Sequence, residues 1–375
     1  MSTKSRRTKL INALAFIGLS PLWAMAGGDT VGALYTMSND AGGNSIIMFD
    51  RAIDGKLSKV GEFDTGGMGT GGGLGNQGAV ILDPSNRWLF VVNAGTNDIS
   101  VMAVEEDGLT WVDQESSGGD RPISLAYSHN LLYVLNAGGA TGSADTISGF
   151  SVAADGTLSP IPGSTQSLSE DSTGPAQISF NNDGDVLVVT EKGTNLIDTF
   201  VVNDDGVAGS MVSYASAGTT PFGFAIGKRD QVLVSEAAGG AEDQSSLSSY
   251  SLGKNGSLNL ISGVVPTTET AACWAVVSND GRFVYTTNAG SGTVSGYSVA
   301  FDGSLALLDA NGATGITGKD TGPLDMVITP DGQYLYTLNG RSDTIGAFRL
   351  KDKGGLAKIY SQTQVPEAAN GLAVR

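Results

Sequence analysis

The chain has 375 residues and a formal net charge of −17, with 21 basic residues against 38 acidic ones, 40% hydrophobic residues, 54 glycines, one histidine and one cysteine. An acidic surface repels phosphate backbones and anionic lipid, which argues against nucleic-acid or membrane-surface partners. A single histidine and a single cysteine make no zinc, copper or haem ligand set and no disulfide within the chain, so neither metal nor cofactor is expected.

Residues 1–26 read as an export signal. Lys4, Arg6, Arg7 and Lys9 precede an apolar run from Leu10 to Trp23, and Ala24-Met25-Ala26 offers small residues for cleavage. Lys9 stands where the twin-arginine pathway wants an apolar residue, so general secretion to the periplasm or beyond is expected. The apolar run is short for a bilayer span, and no stable membrane insertion is expected after cleavage.

Residues 27–375 repeat one unit seven times: a short apolar strand, an Asn/Asp-Gly turn, an aromatic-rich strand ending in Asn-Ala-Gly or a relative, a third strand, and Asp-Gly-x-Leu before a fourth. A period of this size with four strand-sized pieces predicts one all-β domain, a seven-bladed β-propeller. In chain order the second-strand runs are Leu34–Ser38, Trp88–Asn93, Leu132–Asn136, Val186–Thr190, Val232–Ser235, Phe283–Asn288 and Tyr334–Asn339. Asp54-Gly55, Asp155-Gly156, Asp205-Gly206 and Asp302-Gly303 read as two-residue hairpin turns rather than calcium loops, because they lack the EF-hand spacing. The first copy has no opening strand, whereas Ala369–Val374 resembles one without the rest, so the first blade is predicted to be closed by the C-terminal strand. The run Thr65–Gly75 has no Gly-Lys-Ser/Thr and opens a strand, which makes it a crossing loop rather than a phosphate cradle.

In a propeller, the start of each innermost strand and the end of the second strand share one mouth of the axis. That rule gathers Gln77, Gln177, Phe222, Cys273, Trp274, Asp325 and Asn370 with Asn93, Asn136, Glu191, Lys192, Glu236, Asn288 and Asn339. Gln77, Gln177, Lys192, Phe222, Cys273, Trp274, Asn288 and Asp325 are the candidate ligand-binding residues. Glu191 and Glu236 replace the neutral residue of the strand-end slot in adjacent blades, and two carboxylates near a partly buried mouth are candidate acid/base groups. Lys192 either neutralises one of them or points away from the axis. Cys273 reads as a buried inert thiol and His129 as a turn residue on the opposite face.

Gly174-Pro-Ala-Gln177, Thr220-Pro-Phe-Gly223, Val234-Ser-Glu236 and Ala272-Cys-Trp-Ala275, each ahead of an aromatic hairpin, resemble the seven-bladed lactonase superfamily, which includes bacterial 6-phosphogluconolactonase and fungal 3-carboxymuconate cyclase. The resemblance implies a site at the axial mouth acting on small carboxylated lactones or their open forms. It also implies a histidine, two arginines and a glutamate at set positions. Only the glutamate is met, at Glu236; Gln177 stands near the histidine's place, Phe222 near the first arginine's, and Asn288-Ala289 offers no second arginine.

Two functional readings follow. In one, an exported lactonase-like propeller binds a small carboxylated, lactone or sugar-type ligand at its axial pocket, with Glu236 and Glu191 opening or closing the ring. In the other, a non-catalytic propeller holds a protein or polysaccharide in the cell envelope, as the echo of YVTN-type surface propellers at Tyr133-Val-Leu-Asn136 and the inserts at 138–144 and 238–245 suggest.

Overall fold

The computed structural model describes residues 29–375, and the expected export signal lies outside them. Seven antiparallel sheets follow in order: blade 1 (30–64 with 370–374), blade 2 (80–116), blade 3 (122–167), blade 4 (175–215), blade 5 (221–266), blade 6 (272–316) and blade 7 (323–364). The innermost strands touch in sequence around the axis, and Pro323–Ile328 meets Asn370–Val374, which meets Val80–Leu82 and closes the ring.

The second strands are where the aromatic runs predict them. Trp88–Asn93, Val186–Glu191, Gln231–Glu236 and Tyr334–Asn339 are buried along their whole length. Each is covered on both faces by neighbouring blades, so a continuous apolar run replaces the usual alternation. Their tyrosines reach the outer hairpin of the next blade, where the Tyr133, Tyr285 and Tyr336 hydroxyls donate to the Gly206, Gly354 and Gly55 carbonyls.

Those outer hairpins differ from the expected two-residue turns. At Asp54-Gly55 the Gly55 N–H donates to the Ala52 carbonyl and the Ala52 N–H to the Lys56 carbonyl, and only the glycine has positive φ, +82°. This is a type I turn closed by a left-handed glycine. The aspartate selects it by accepting the N–H two residues on, from Lys56, Thr157 and Ser304 in three blades. A Cβ on Gly55 would also lie 2.5 Å from the Tyr334 ring, so close blade packing demands glycine as firmly as the turn does.

The termini join as predicted. Leu34, Tyr35 and Met37 pair with Val374, Ala373 and Asn370, while Ala33 and Arg375 exchange two backbone hydrogen bonds. Leu372 and Ala373 are buried, and the Thr36 hydroxyl donates to the Asn370 carbonyl.

Candidate functional site

The face where innermost strands begin, the upper mouth, is closed by the chain itself. Blade 2's innermost strand is only Val80–Leu82, because residues 74–77 leave the sheet and cross the axis. The Gln77 amide pairs with blade 6, donating to the Ala275 carbonyl (2.8 Å) and accepting from its N–H (3.1 Å). The Gln77 N–H donates to Ala176 of blade 4, and the Ser124 hydroxyl of blade 3 donates to the Gln77 carbonyl. Asn76 accepts from the Trp274 indole and donates to the Ile123 carbonyl. The glycine run preceding this plug is thus more than a pliant connection.

The plug divides the residues that sequence spacing gathers at one mouth. Gln77 forms the underside of the plug, and with Gln177 and Asp325 below it lines the inner end of an axial chamber of about 530 Å³. That chamber runs to the opposite face, where exposed Pro84, Asn86 and Asn279 form its rim. Gln177 exchanges two hydrogen bonds with the Phe224 backbone. Asp325 accepts from the Met326 and Leu372 N–H groups, and burial pushes its carboxyl up to about 7 against those bonds.

Phe222, Cys273, Trp274 and Lys192 lie on the upper side. The Phe222 and Trp274 rings meet with centroids 5.0 Å apart and planes tilted 51°. The Lys192 ammonium sits 4.6 Å above the Phe222 ring and donates to the Gly75 and Pro175 carbonyls, so it braces the plug and does not neutralise Glu191 or Glu236. Cys273 is buried, and burial raises its thiol to about 12, which leaves it inert as expected. His129 is exposed in the turn at the lower face.

Glu191 and Glu236 are fully buried, and neither lines the axial chamber. They face the junction between sheets. Glu191 accepts from the Ser169 N–H and from the Ser169 and Thr194 hydroxyls; Glu236 accepts from the Gly218 N–H and the Ser216 and Ser246 hydroxyls. The asparagines of the same slot are fasteners too. Asn93 and Asn288 each donate to a serine of the third strand, Ser100 or Ser295, at 2.8 Å. In blade 4 both partners are changed, to Glu191 and Asp198. Neither Asp198 oxygen receives a hydrogen bond, and burial followed by the adjoining Glu191 carboxyl raises its pKa strongly. Burial beside a second carboxyl favours the protonated form of Asp198.

A group that the strand-end reasoning missed completes the upper mouth. Arg121 has φ of +55°, in the turn that opens blade 3, with its N–H bonded to the Asn97 amide oxygen. The same turn recurs at Gly174, Thr220, Ala271 and Gly322, all with positive φ, and none of these is charged. Arg121 and Lys192 converge on a cleft of about 110 Å³, with Leu74, Pro175 and Ser172 in its wall. Burial, with the Arg121 charge adding to it, lowers Lys192 to about 8. The one carboxylate there, Asp145, already accepts from Gly139 and Thr173. Neither cation takes part in an ion pair among the described residues.

The comparisons agree with this architecture. The periplasmic gluconolactonase PpgL of Pseudomonas aeruginosa superposes with a TM-score of 0.72 at 16% identity, covering 92% of this chain and 99% of that one. A protein from Lactobacillus plantarum gives a TM-score of 0.73 at 17% identity, covering 92% and 100%. By sequence, the 6-phosphogluconolactonase of Serratia proteamaculans is 23% identical over 305 residues, which is 76% of this chain and 84% of that protein. The model of the family described as lactonase, 7-bladed beta-propeller matches residues 34–167 and 266–370, and the chain belongs to that family.

Proposed function

We propose that this propeller binds a small carboxylated ligand, a sugar acid or a carboxylated lactone, at its upper mouth, with the carboxylate between Arg121 and Lys192. The observation that carries this reading is the convergence of two cations, neither in an ion pair among the described residues, on one cleft of about 110 Å³ whose carboxylate, Asp145, is already engaged by Gly139 and Thr173, in a chain of net charge −17. A guanidinium and an ammonium together supply the charge-assisted bonds a carboxylate needs. They stand in for the arginines that the family resemblance implies and the expected positions lack. The small cleft suits the acid group, with the body of the ligand lying outward over Ser172 and Ala140. Binding is the core of the proposal. Ring opening by Glu191 and Glu236 is not part of it, because their oxygens are engaged between blades. The apolar run at 10–23 and the periplasmic address in the name of the Pseudomonas relative support an exported protein.

Calorimetry at pH 7 with gluconate, 6-phosphogluconate and uncharged glucono-1,5-lactone tests this. The acids are expected to bind more tightly than the lactone, and Arg121→Ala to weaken them about tenfold or more, as loss of a charge-assisted bond worth about 1.5–3 kcal/mol implies. Affinity for the acids should also fall as pH rises through about 8, where Lys192 loses its charge. Equal binding by Arg121→Ala and the unaltered protein, or a preference for the uncharged lactone, would overturn the reading. Tight capture of an envelope polysaccharide with no small-acid binding would favour the scaffold alternative.

A further inference from the structure

We propose that the axial chamber under the plug is a second binding site, for a small organic ammonium whose charge meets Asp325 and whose apolar body lies along the channel. The inference is independent of the carboxylate reading above and concerns the opposite face.

The chamber is about 530 Å³, a size suited to a small molecule. Its wall mixes polar and apolar surface, with the partly exposed Ile226, Val276 and Ile328 contributing hydrocarbon from three blades. Among the described residues only two charged ones line it, Asp325 and Asp83, and no lysine, arginine or histidine does. Asp83 is occupied, since its oxygens accept from Ser85, Arg87 and Trp88 at the turn. The amides at the inner end are also committed, Gln77 to Ala275 and Gln177 to Phe224. Asp325 is therefore the one charged group of the chamber without a turn to hold, 4% exposed and supported only by backbone N–H groups.

A carboxylate at the closed end of a channel whose wall carries aliphatic side chains is stabilised most by a cation that brings its own apolar surface. The ammonium supplies the missing counter-charge, and the hydrocarbon displaces water from the walls. From Asp325 to Ile328 the strand rises about 10 Å, which accommodates a linear chain of about six carbons. An anionic ligand has no partner here, so the two ends of the axis select opposite charges.

The test compares hexylammonium chloride with 1-hexanol by calorimetry on the full propeller at pH 7.5. Hexylammonium is expected to bind one per chain and at least tenfold more tightly than hexanol, with Asp325→Asn reducing it to the hexanol level. Should Asp325→Asn fail to fold, Val276→Phe fills the chamber from its wall and is expected to remove binding of both. Arg121→Ala is expected to leave hexylammonium binding unchanged, which separates this site from the upper cleft. Equal affinities for amine and alcohol, no amine binding by the folded protein, or amine binding that survives Val276→Phe would each overturn the proposal.

Discussion

Removing residues 368–375 is expected to abolish cooperative folding, and moving the same segment to the front of the chain is expected to restore it. The deletion takes away the whole innermost strand of blade 1, including buried Asn370, Leu372 and Ala373. It strips pairing from Leu34, Tyr35 and Met37 and leaves the Asp325 carboxylate without the Leu372 N–H. Unpaired backbone at a buried position costs about as much as a lost hydrogen bond each time. Several such losses, with the Leu372 burial of about 2 kcal/mol, rival the total stability of about 5–15 kcal/mol typical of a domain. Because Arg375 pairs with Ala33, three residues inside the start of the strand at Thr30, a flexible linker of about five residues placed after residue 375 spans the offset of about 10 Å back to Thr30. The permuted chain would then have four consecutive strands in blade 1, like its neighbours. Circular dichroism melting of the two variants checks this: a truncated form that still melts in one sharp step near the parent would contradict the closure.

Replacing Asp198 with serine is expected to stabilise the protein, and to do so more at pH 8.5 than at pH 5. Serine occupies the corresponding position in blades 2, 3, 5 and 6, as Ser100, Ser148, Ser248 and Ser295 opposite Val91, Val134, Val234 and Thr286. Its hydroxyl can donate to Glu191 without needing a titratable proton. The unaltered Asp198 is fully buried with its pKa raised, burial being the main cause. Above the ordinary carboxylate range near pH 4 the unfolded chain ionises this group while the fold keeps it protonated. The folded state then binds more protons, so the Asp198 contribution to stability falls as pH rises toward the raised pKa. Asp198→Ser should remove that slope, with a gain of about 1–3 kcal/mol at the alkaline end. Thermal melts of both proteins from pH 5 to 8.5 measure it; parallel curves would show that the Glu191–Asp198 contact carries no shared proton.

The propeller was legible because burial between blades leaves a strong imprint. Runs such as Trp88–Asn93 and Tyr334–Asn339 have to be apolar on both faces, and the hairpin glycines must accept positive φ. The turn type was not legible, since Asp-Gly suits more than one hairpin and the choice rests on which N–H the aspartate accepts. Nor was the plug: Gln77 finds its partner 198 residues away, across the axis, and no local pattern announces such a bond. The strand-end rule ranked residues by height along the axis but not by direction. Glu191 and Glu236 have the height of a mouth residue and point between sheets, as Asn93 and Asn288 do. Arg121 could have been found. Among Arg121-Pro122, Gly174-Pro175, Thr220-Pro221 and Gly322-Pro323 it is the one charged residue in a repeated turn.

The two ends of the axis now have different chemistry, cationic at the plugged upper mouth and acidic in the chamber below. Separate polarity at the two openings follows from single substitutions in a repeat whose backbone is otherwise uniform. The Glu191–Asp198 pair is a third such departure, and its consequence is for stability.

The most direct measurement is a crystal structure of the protein with bound gluconate. The carboxylate should lie within about 3.5 Å of both the Arg121 guanidinium and the Lys192 ammonium, with residues 74–77 still crossing the axis. Gluconate bound in the axial chamber, or at the upper mouth with its carboxylate remote from Arg121, would contradict the assignment.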